Sequence, residues 1–324
     1  MGLIENPKTY TGRDLETIFF RPMFAGENAE QLGVRMLYNM PVPTTIQMWS
    51  PQSDILQEYS SGWSGGDSAE RMQKTIELFK VKAEVGFSAS DYFQQVYELI
   101  TGRADVNLDD LTGSELEAAE TEMFRQAIAE SIRVSMWIGD RNATTFNKFN
   151  GFVTIASQFV NDDQSPLVEC SAAPSKENII DTLHRMWLAA PAQLKALKAD
   201  GNLAYFVTTD VYDAYEQYLD ELGADGAYTD IVSGRRELSY HGIKLIDISV
   251  SQYLPTSTLD TTSFCMLTDR RNLVLAVNTA DYPGSEVRMW YNPDEMENRQ
   301  RAIFMVGCEI LDEKLIVVAK YTNA

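Results

Sequence analysis

The run from residue 114 to residue 138 constrains the fold more than any other part of this sequence. It contains no glycine or proline and is bracketed by Gly113 and Gly139. Leu116, Ala119, Met123, Ala127, Ser131, Val134 and Ile138 recur at helical spacing, and Glu115, Glu117, Glu120 and Glu122 crowd the N-terminal end, where the helix dipole favours acids. A rise of about 1.5 Å per residue makes this a rod of roughly 37 Å. Such a rod outruns a small core, so it is expected to be the spine of one lobe.

Strand signals flank it. Phe79, Val81, Ala83, Val85 and Phe87 alternate with Lys80, Lys82, Glu84 and Gly86, the period of a half-buried strand. Ile76 and Leu78 lie in the opposite phase, which predicts a bulge or a change of covered face just before Phe79. Residues 42–50 suit a second strand. Between the two, residues 51–71 carry Gly62, Gly65, Gly66 and five serines, yet also Ile55, Leu56, Tyr59 and Trp63. A polar, glycine-bearing loop with aromatics is expected to be a contact element, since Trp and Tyr dominate interface energetics. Residues 1–41 read as an arm: Leu15, Ile18, Phe19, Phe20, Met23 and Phe24 need burial, but Pro22, Gly26, Gly33 and Pro41 break any regular element. Ser90 opens a short helix with Phe93, Val96 and Ile100 on its apolar face.

Beyond the spine, residues 151–156 and 158–160 carry strand signals, and Asn161-Asp162-Asp163 a turn. The texture then changes. A helix through Ile180, Leu183 and Trp187 breaks at Pro191 and resumes to about Ala199; a strand follows at 203–208, then an amphipathic helix at 210–222. A strand pair turns at His241-Gly242, and the strands 264–268 and 272–277 are expected to form a hairpin. Long strands at 286–291, 299–310 and 314–321 close the chain. This order predicts an α+β protein divided into an arm (1–41), an extended loop (42–87), one domain in two pieces (88–172 and 285–324, with the helix 114–138) and an inserted α/β domain (173–284).

Charge limits the function. Lys and Arg total 27 against 47 Asp and Glu, a net charge of −20. Holding nucleic acid by its phosphates requires a basic surface, so this chain would on average repel DNA and anionic membranes. The longest apolar runs fall far short of the ~18 residues that span a bilayer, and MGLIENPKTYTGRD shows no secretory signal; a cytoplasmic origin is expected. Cys170, Cys265 and Cys308 are too scattered for a disulfide framework or a metal pair and are expected to be core residues.

No chemistry stands out. His184 and His241, the two histidines, lie in no nucleophile motif. No phosphate-cradling glycine loop is present. Asp109-Asp110 and Asp162-Asp163 read as turn acids, and Asn142-Ala-Thr144 as an incidental glycosylation pattern. No catalytic, cofactor-binding or metal-binding residue is assigned, and the chain is not expected to be an enzyme.

The order of elements resembles the capsid protein fold shared by tailed bacteriophages, herpesviruses and encapsulin nanocompartments. The segments that carry the resemblance are KTIELFKVKAEVGFSASDYFQQVYELI, the spine ending in MWIGD, and the pair ELSYHGIKLIDI and SFCMLTDRRNLVLAVN. The resemblance implies a major capsid protein with an N-terminal arm, an extended β-hairpin loop, a peripheral domain with a long spine helix, and an inserted axial domain. It further implies self-assembly as pentamers and hexamers, enclosure of double-stranded DNA without tight binding, and location in the virion after assembly in the host cytoplasm. A scaffolding protein, a portal and decoration proteins are the implied partners, without a membrane. Some relatives begin with a long helical scaffolding segment; this sequence starts at the arm, so either a separate scaffolding protein or a chain longer than this sequence is expected. Residues 51–71 contain no lysine, so the covalent crosslink of some relatives is not carried over. Two other readings stay open: a nanocompartment shell around cargo enzymes, and an acidic enzyme with a site in 173–284.

Overall fold

The computed structural model describes residues 29, 31–40, 43–50, 61–62, 70–87, 115–223, 238–256, 263–278, 288–295 and 297–321. Most of the arm, the aromatic loop with Tyr59 and Trp63, the short helix after Ser90 and Asp109-Asp110 lie outside these residues.

The first sheet is organised by one long strand, β12 (Glu297–Ile310). Its N-terminal half pairs antiparallel with β11 (Arg288–Asn292), its C-terminal half with β10 (Leu273–Val277), and residues 298–306 with β4 (Phe79–Phe87). A short strand, β1 (Arg35–Leu37), runs parallel to β10, and just before it Ala29, Leu32 and Val34 are buried in the main core. The last part of the arm therefore packs on its own body. On β4, Phe79, Val81 and Ala83 pack against the core while Lys80, Lys82 and Glu84 face out, as the alternation predicts, but Val85, expected on the covered face, is 46% exposed. The phase slip before Phe79 is a change of sheet: β3 (Glu70–Ile76) pairs with β2 (Thr44–Ser50), and β4 turns away to β12.

The second sheet has six strands in the order β5-β13-β9-β6-β8-β7: β5 (Leu167–Cys170), β13 (Ile316–Tyr321), β9 (Ser263–Asp269), β6 (Leu203–Val207), β8 (Ile243–Asp247) and β7 (Ser239–Tyr240). Its central strands are buried on both faces. Ala204, Phe206, Phe264, Met266, Ile316 and Val318 face one core, shared with helices α1 (Glu115–Ile138) and α2 (Phe152–Asn161) and with β10 and β12. Tyr205, Val207, Cys265, Leu267, Val317 and Tyr321 face a second core, under α3 (Ile179–Ala189) and α5 (Thr209–Glu221). Pro191 separates α3 from α4 (Ala192–Ala196), which runs into a 3-10 turn at Leu197–Asp200. Trp137 joins the layers, its ring 5.0 Å from Phe206 and 5.4 Å from Phe152.

Three expectations are corrected. Residues 152–161 are helical, not extended: Phe152, Val153, Ile155, Ala156 and Phe159 are buried at helical spacing, and their β-branched composition concealed the period. The strand at the end of this segment is β5, which was not anticipated. Strands β9 and β10 do not form a hairpin; a 3-10 turn at Arg270–Asn272 passes the chain from the second sheet to the first. The buried stripe of α1 runs through Phe124, Ile128 and Ile132, whereas Met123, Ala127 and Ser131 are exposed, because the larger side chains take the core side. The two sheets each draw strands from both inside and outside the span 173–284. The second sheet takes β5 and β13 from outside that span and gives up β10 within it.

Candidate functional site

The most distinctive feature outside the cores is the β2–β3 hairpin. Its strands pair antiparallel from Thr44↔Ile76 to Ser50↔Glu70 and have no further strand partner among the described residues. A lone two-stranded ribbon is marginal in water, so its base carries the anchorage. There Ile76 and Leu78 are buried against Val274, Ala276 and Leu311. Lys74 adds a polar tie: its ammonium lies 3.8 Å from Glu309 and 4.0 Å from Glu313, and 4.7 Å from the centre of the Phe159 ring. Burial, with the like charges of Glu77 and Glu313, pushes the Glu309 carboxyl above the ordinary range despite Lys74. Gly307 completes the base by admitting the Glu77 carbonyl against β12.

The spine is tied to the second sheet by charge. Arg133 and Glu130, both buried, form a two-point ion pair with N–O distances of 2.7 Å. Arg133 also donates to the carbonyls of Ile248 at 2.6 Å and Ser249 at 3.3 Å, and the Tyr253 hydroxyl donates to Glu130 at 3.1 Å. Neither charge nor its partners were singled out in the sequence. The signal available was an Arg one turn after a Glu inside an otherwise apolar helix end.

The residues weighed for chemistry are scattered. His184 is exposed on α3; His241 sits in the β7–β8 turn at φ 53°, its ring parallel to Trp187 at 6.0 Å. Asp162 and Asp163 cap the end of α2, with Asp163 at φ 61° as a turn residue. Asn142 is exposed, its amide bonded to the Asp140 carboxylate. All three cysteines are buried and free, and burial raises the thiol pKa of Cys265 and Cys308 far above its ordinary value. Among the described residues no group of three His, Cys, Asp or Glu could hold a metal ion, and no helix is long and apolar enough to cross a membrane. A cleft of about 390 Å³ opens between residues 174–177 and the start of α5, lined by Glu177, Asp210 and Asp213 among others. Ser175 and Lys176 line it as well, and Lys176 is ion-paired with Glu221.

Comparison with known proteins places this architecture. No family model and no curated protein matches the chain. Solved structures do. The capsid of a native GTA particle matches at 13% identity, TM-score 0.60, over 98% of this chain and 96% of that one. A chain of Gordonia phage Cozz matches at 14% identity, TM-score 0.56, over 100% and 92%. The capsid of the Myoviridae phage XM1 matches at 11% identity, TM-score 0.56, over 98% and 100%. At such identities the likeness shows the fold, and it shows it over essentially the whole chain: the α+β capsid architecture expected from the order of elements is the one observed.

Proposed function

We propose that this chain is a structural shell subunit, a major capsid protein that assembles as pentamers and hexamers into the icosahedral or prolate head enclosing phage double-stranded DNA. The observation that carries the reading is the end-to-end match: nearly all of this chain finds a counterpart in nearly all of a capsid chain, rather than one module in a larger enzyme. The unpartnered hairpin supports it, because a ribbon that is marginal alone gains stability when a second copy covers it. On this reading the piece with the spine is peripheral, the region around 173–284 is axial, and the role is structural, not catalytic. A scaffolding protein, a portal and decoration proteins are the partners to look for. The mature location is the virion, after assembly in the host cytoplasm.

The net charge of −20 fits a shell that surrounds DNA without gripping it. Free subunits are expected to show no measurable DNA affinity near physiological salt; a sub-micromolar, salt-dependent affinity would contradict this part of the reading.

The test is assembly. Electron micrographs and sedimentation of the purified protein should show closed shells built of rings. A compact monomer under every condition tried, scaffold included, would sink the proposal. The contents of particles from infected or expressing cells separate the shell types: DNA and a single portal vertex for a phage head, a packaged enzyme for a nanocompartment.

A further inference from the structure

The two ends of helix α3 carry opposite surfaces. Residues 182–199 contain no Asp or Glu, in a chain that has 47 of them, but do contain Arg185, Lys195 and Lys198. At the C-terminal end of α3 the Leu188 side chain is 62% exposed. Beside it Trp187 is half-buried, and the ammonium groups of Lys195 and Lys198 lie 5.9 and 5.5 Å from its ring centre. Lys195 is fixed there by donating to the Leu188 carbonyl at 3.0 Å, so it also neutralises the helix's negative end. Lys198 meets no carboxylate among the described residues. The result is an apolar knob with fixed positive charge.

The N-terminal end of α3 is the reverse. The cleft there is lined by Pro174, Glu177, Asp210, Asp213, Ala214 and Gln217, together with Ser175 and Lys176. Lys176 is already ion-paired with Glu221. Helix α5, which forms one wall, has five acids and no Lys or Arg. Burial and the like charges of Glu216, Asp247 and Asp210 push the Asp213 carboxyl up, as expected where acids gather without a cation to balance them.

We propose that the α3 end bearing Trp187, Leu188 and Lys198 docks in the acidic cleft at Glu177 and Asp213 of a second copy of this chain. The two surfaces cannot meet within one copy. Eleven residues of helix at about 1.5 Å each hold them roughly 16 Å apart. A knob and a complementary cleft displaced along one rigid element make a head-to-tail contact, which closes into a ring when its rotation allows. Opposite charge gives the contact direction, and like charge disfavours knob against knob and cleft against cleft. This contact rests on the shell reading and supplies it with a specific ring interface.

The test uses charge reversal in the full chain. Lys195→Glu with Lys198→Glu makes both surfaces acidic; Glu177→Lys with Asp213→Lys makes both basic. Each variant alone should lose ring formation by tenfold or more in sedimentation, with monomer melting close to native. Mixed one to one, they should recover association into even-membered rings such as hexamers, where alternation makes every contact again one between opposite charges, while a pentamer keeps at least one like-charged contact. Lys198→Glu alone is the control should loss of the Lys195 bond to Leu188 harm folding. Oxidation of a mixture of Lys198→Cys and Asp213→Cys copies should yield a crosslinked dimer. A native chain that assembles while the folded variants assemble equally well, or whose folded variants fail without rescue by mixing, overturns this contact alone. A native chain that never self-associates overturns the shell reading and this contact with it.

Discussion

The main-chain carbonyl of Glu77 lies so close to Gly307 that a methyl group built on Gly307 would sit 2.0 Å from its oxygen. This is the point where the chain leaves β3 and enters β4, crossing β12 as it does so. Backbone cannot give way as the end of a flexible side chain can. Gly307→Ala is therefore expected to lower stability by about 1–3 kcal/mol, as overpacking does. Gly86→Ala, whose nearest neighbour is the mobile Glu297 carboxylate at 3.2 Å, should be close to neutral. Urea melts of the two variants check the contrast, and equal stabilities would show that the crossing is loose.

The Arg133–Glu130 pair gives a second test. Removing one partner strands a buried charge, so Arg133→Ala should cost about 3–5 kcal/mol. Replacing both, Arg133→Met with Glu130→Gln, should recover much of that loss. A double variant no better than the single one would mean that the bonds to Ile248 and Ser249, not the charges, hold the spine to the second sheet.

Tyr205 is buried in the second core, and its hydroxyl has no hydrogen-bond partner among the described residues. A buried, unsatisfied hydroxyl carries a desolvation penalty of about 1–3 kcal/mol. Tyr205→Phe keeps the ring and removes the penalty, so the variant should melt at or above the native temperature. Clear destabilisation would reveal a partner for the hydroxyl.

Glu309 predicts a pH dependence. Its carboxyl is raised in the folded protein, so the fold binds this proton more tightly than the unfolded chain does. The sign follows: the ionised form carries a penalty above the raised pKa, and the penalty disappears as pH falls towards the ordinary glutamate value. Glu309→Gln has no such penalty. Its melting temperature relative to native should be most favourable at neutral pH and should fall back as pH drops through the native pKa of Glu309. A difference that grows on acidification would reverse the assignment and make Lys74 the dominant neighbour.

The cysteines supply a chemical check. All three are buried, and burial holds the Cys265 and Cys308 thiols protonated. The thiolate is the reactive form, so the native protein should resist thiol reagents in mildly alkaline buffer and react fully once unfolded. Fast labelling of the native chain would show that a core opens.

The sequence by itself determined what depends on neighbours along the chain. The alternation from Phe79 to Ala83, the break at Pro191, the His241-Gly242 turn and the glycine-bounded spine could all be read locally, because each is a matter of period, cap or backbone freedom. Their order sufficed to suggest the capsid fold. Tertiary structure alone decided partners and phase. Strands β9 and β10 are buried along their whole length, so no alternation in either shows which sheet it joins, and two strands three residues apart went to different ones. Residues 152–161 mix β-branched and polar residues, and packing of Phe152, Val153, Ile155, Ala156 and Phe159 into one core makes them a helix. Along α1 both Met123 and Phe124 could have faced inward; the depth of the core chose Phe124, Ile128 and Ile132. The Arg133 contacts and the cleft at the start of α3 join residues far apart in the chain. Such pairings are settled by which arrangement buries the most apolar surface while satisfying every buried charge, and that balance exists only when the whole chain is folded.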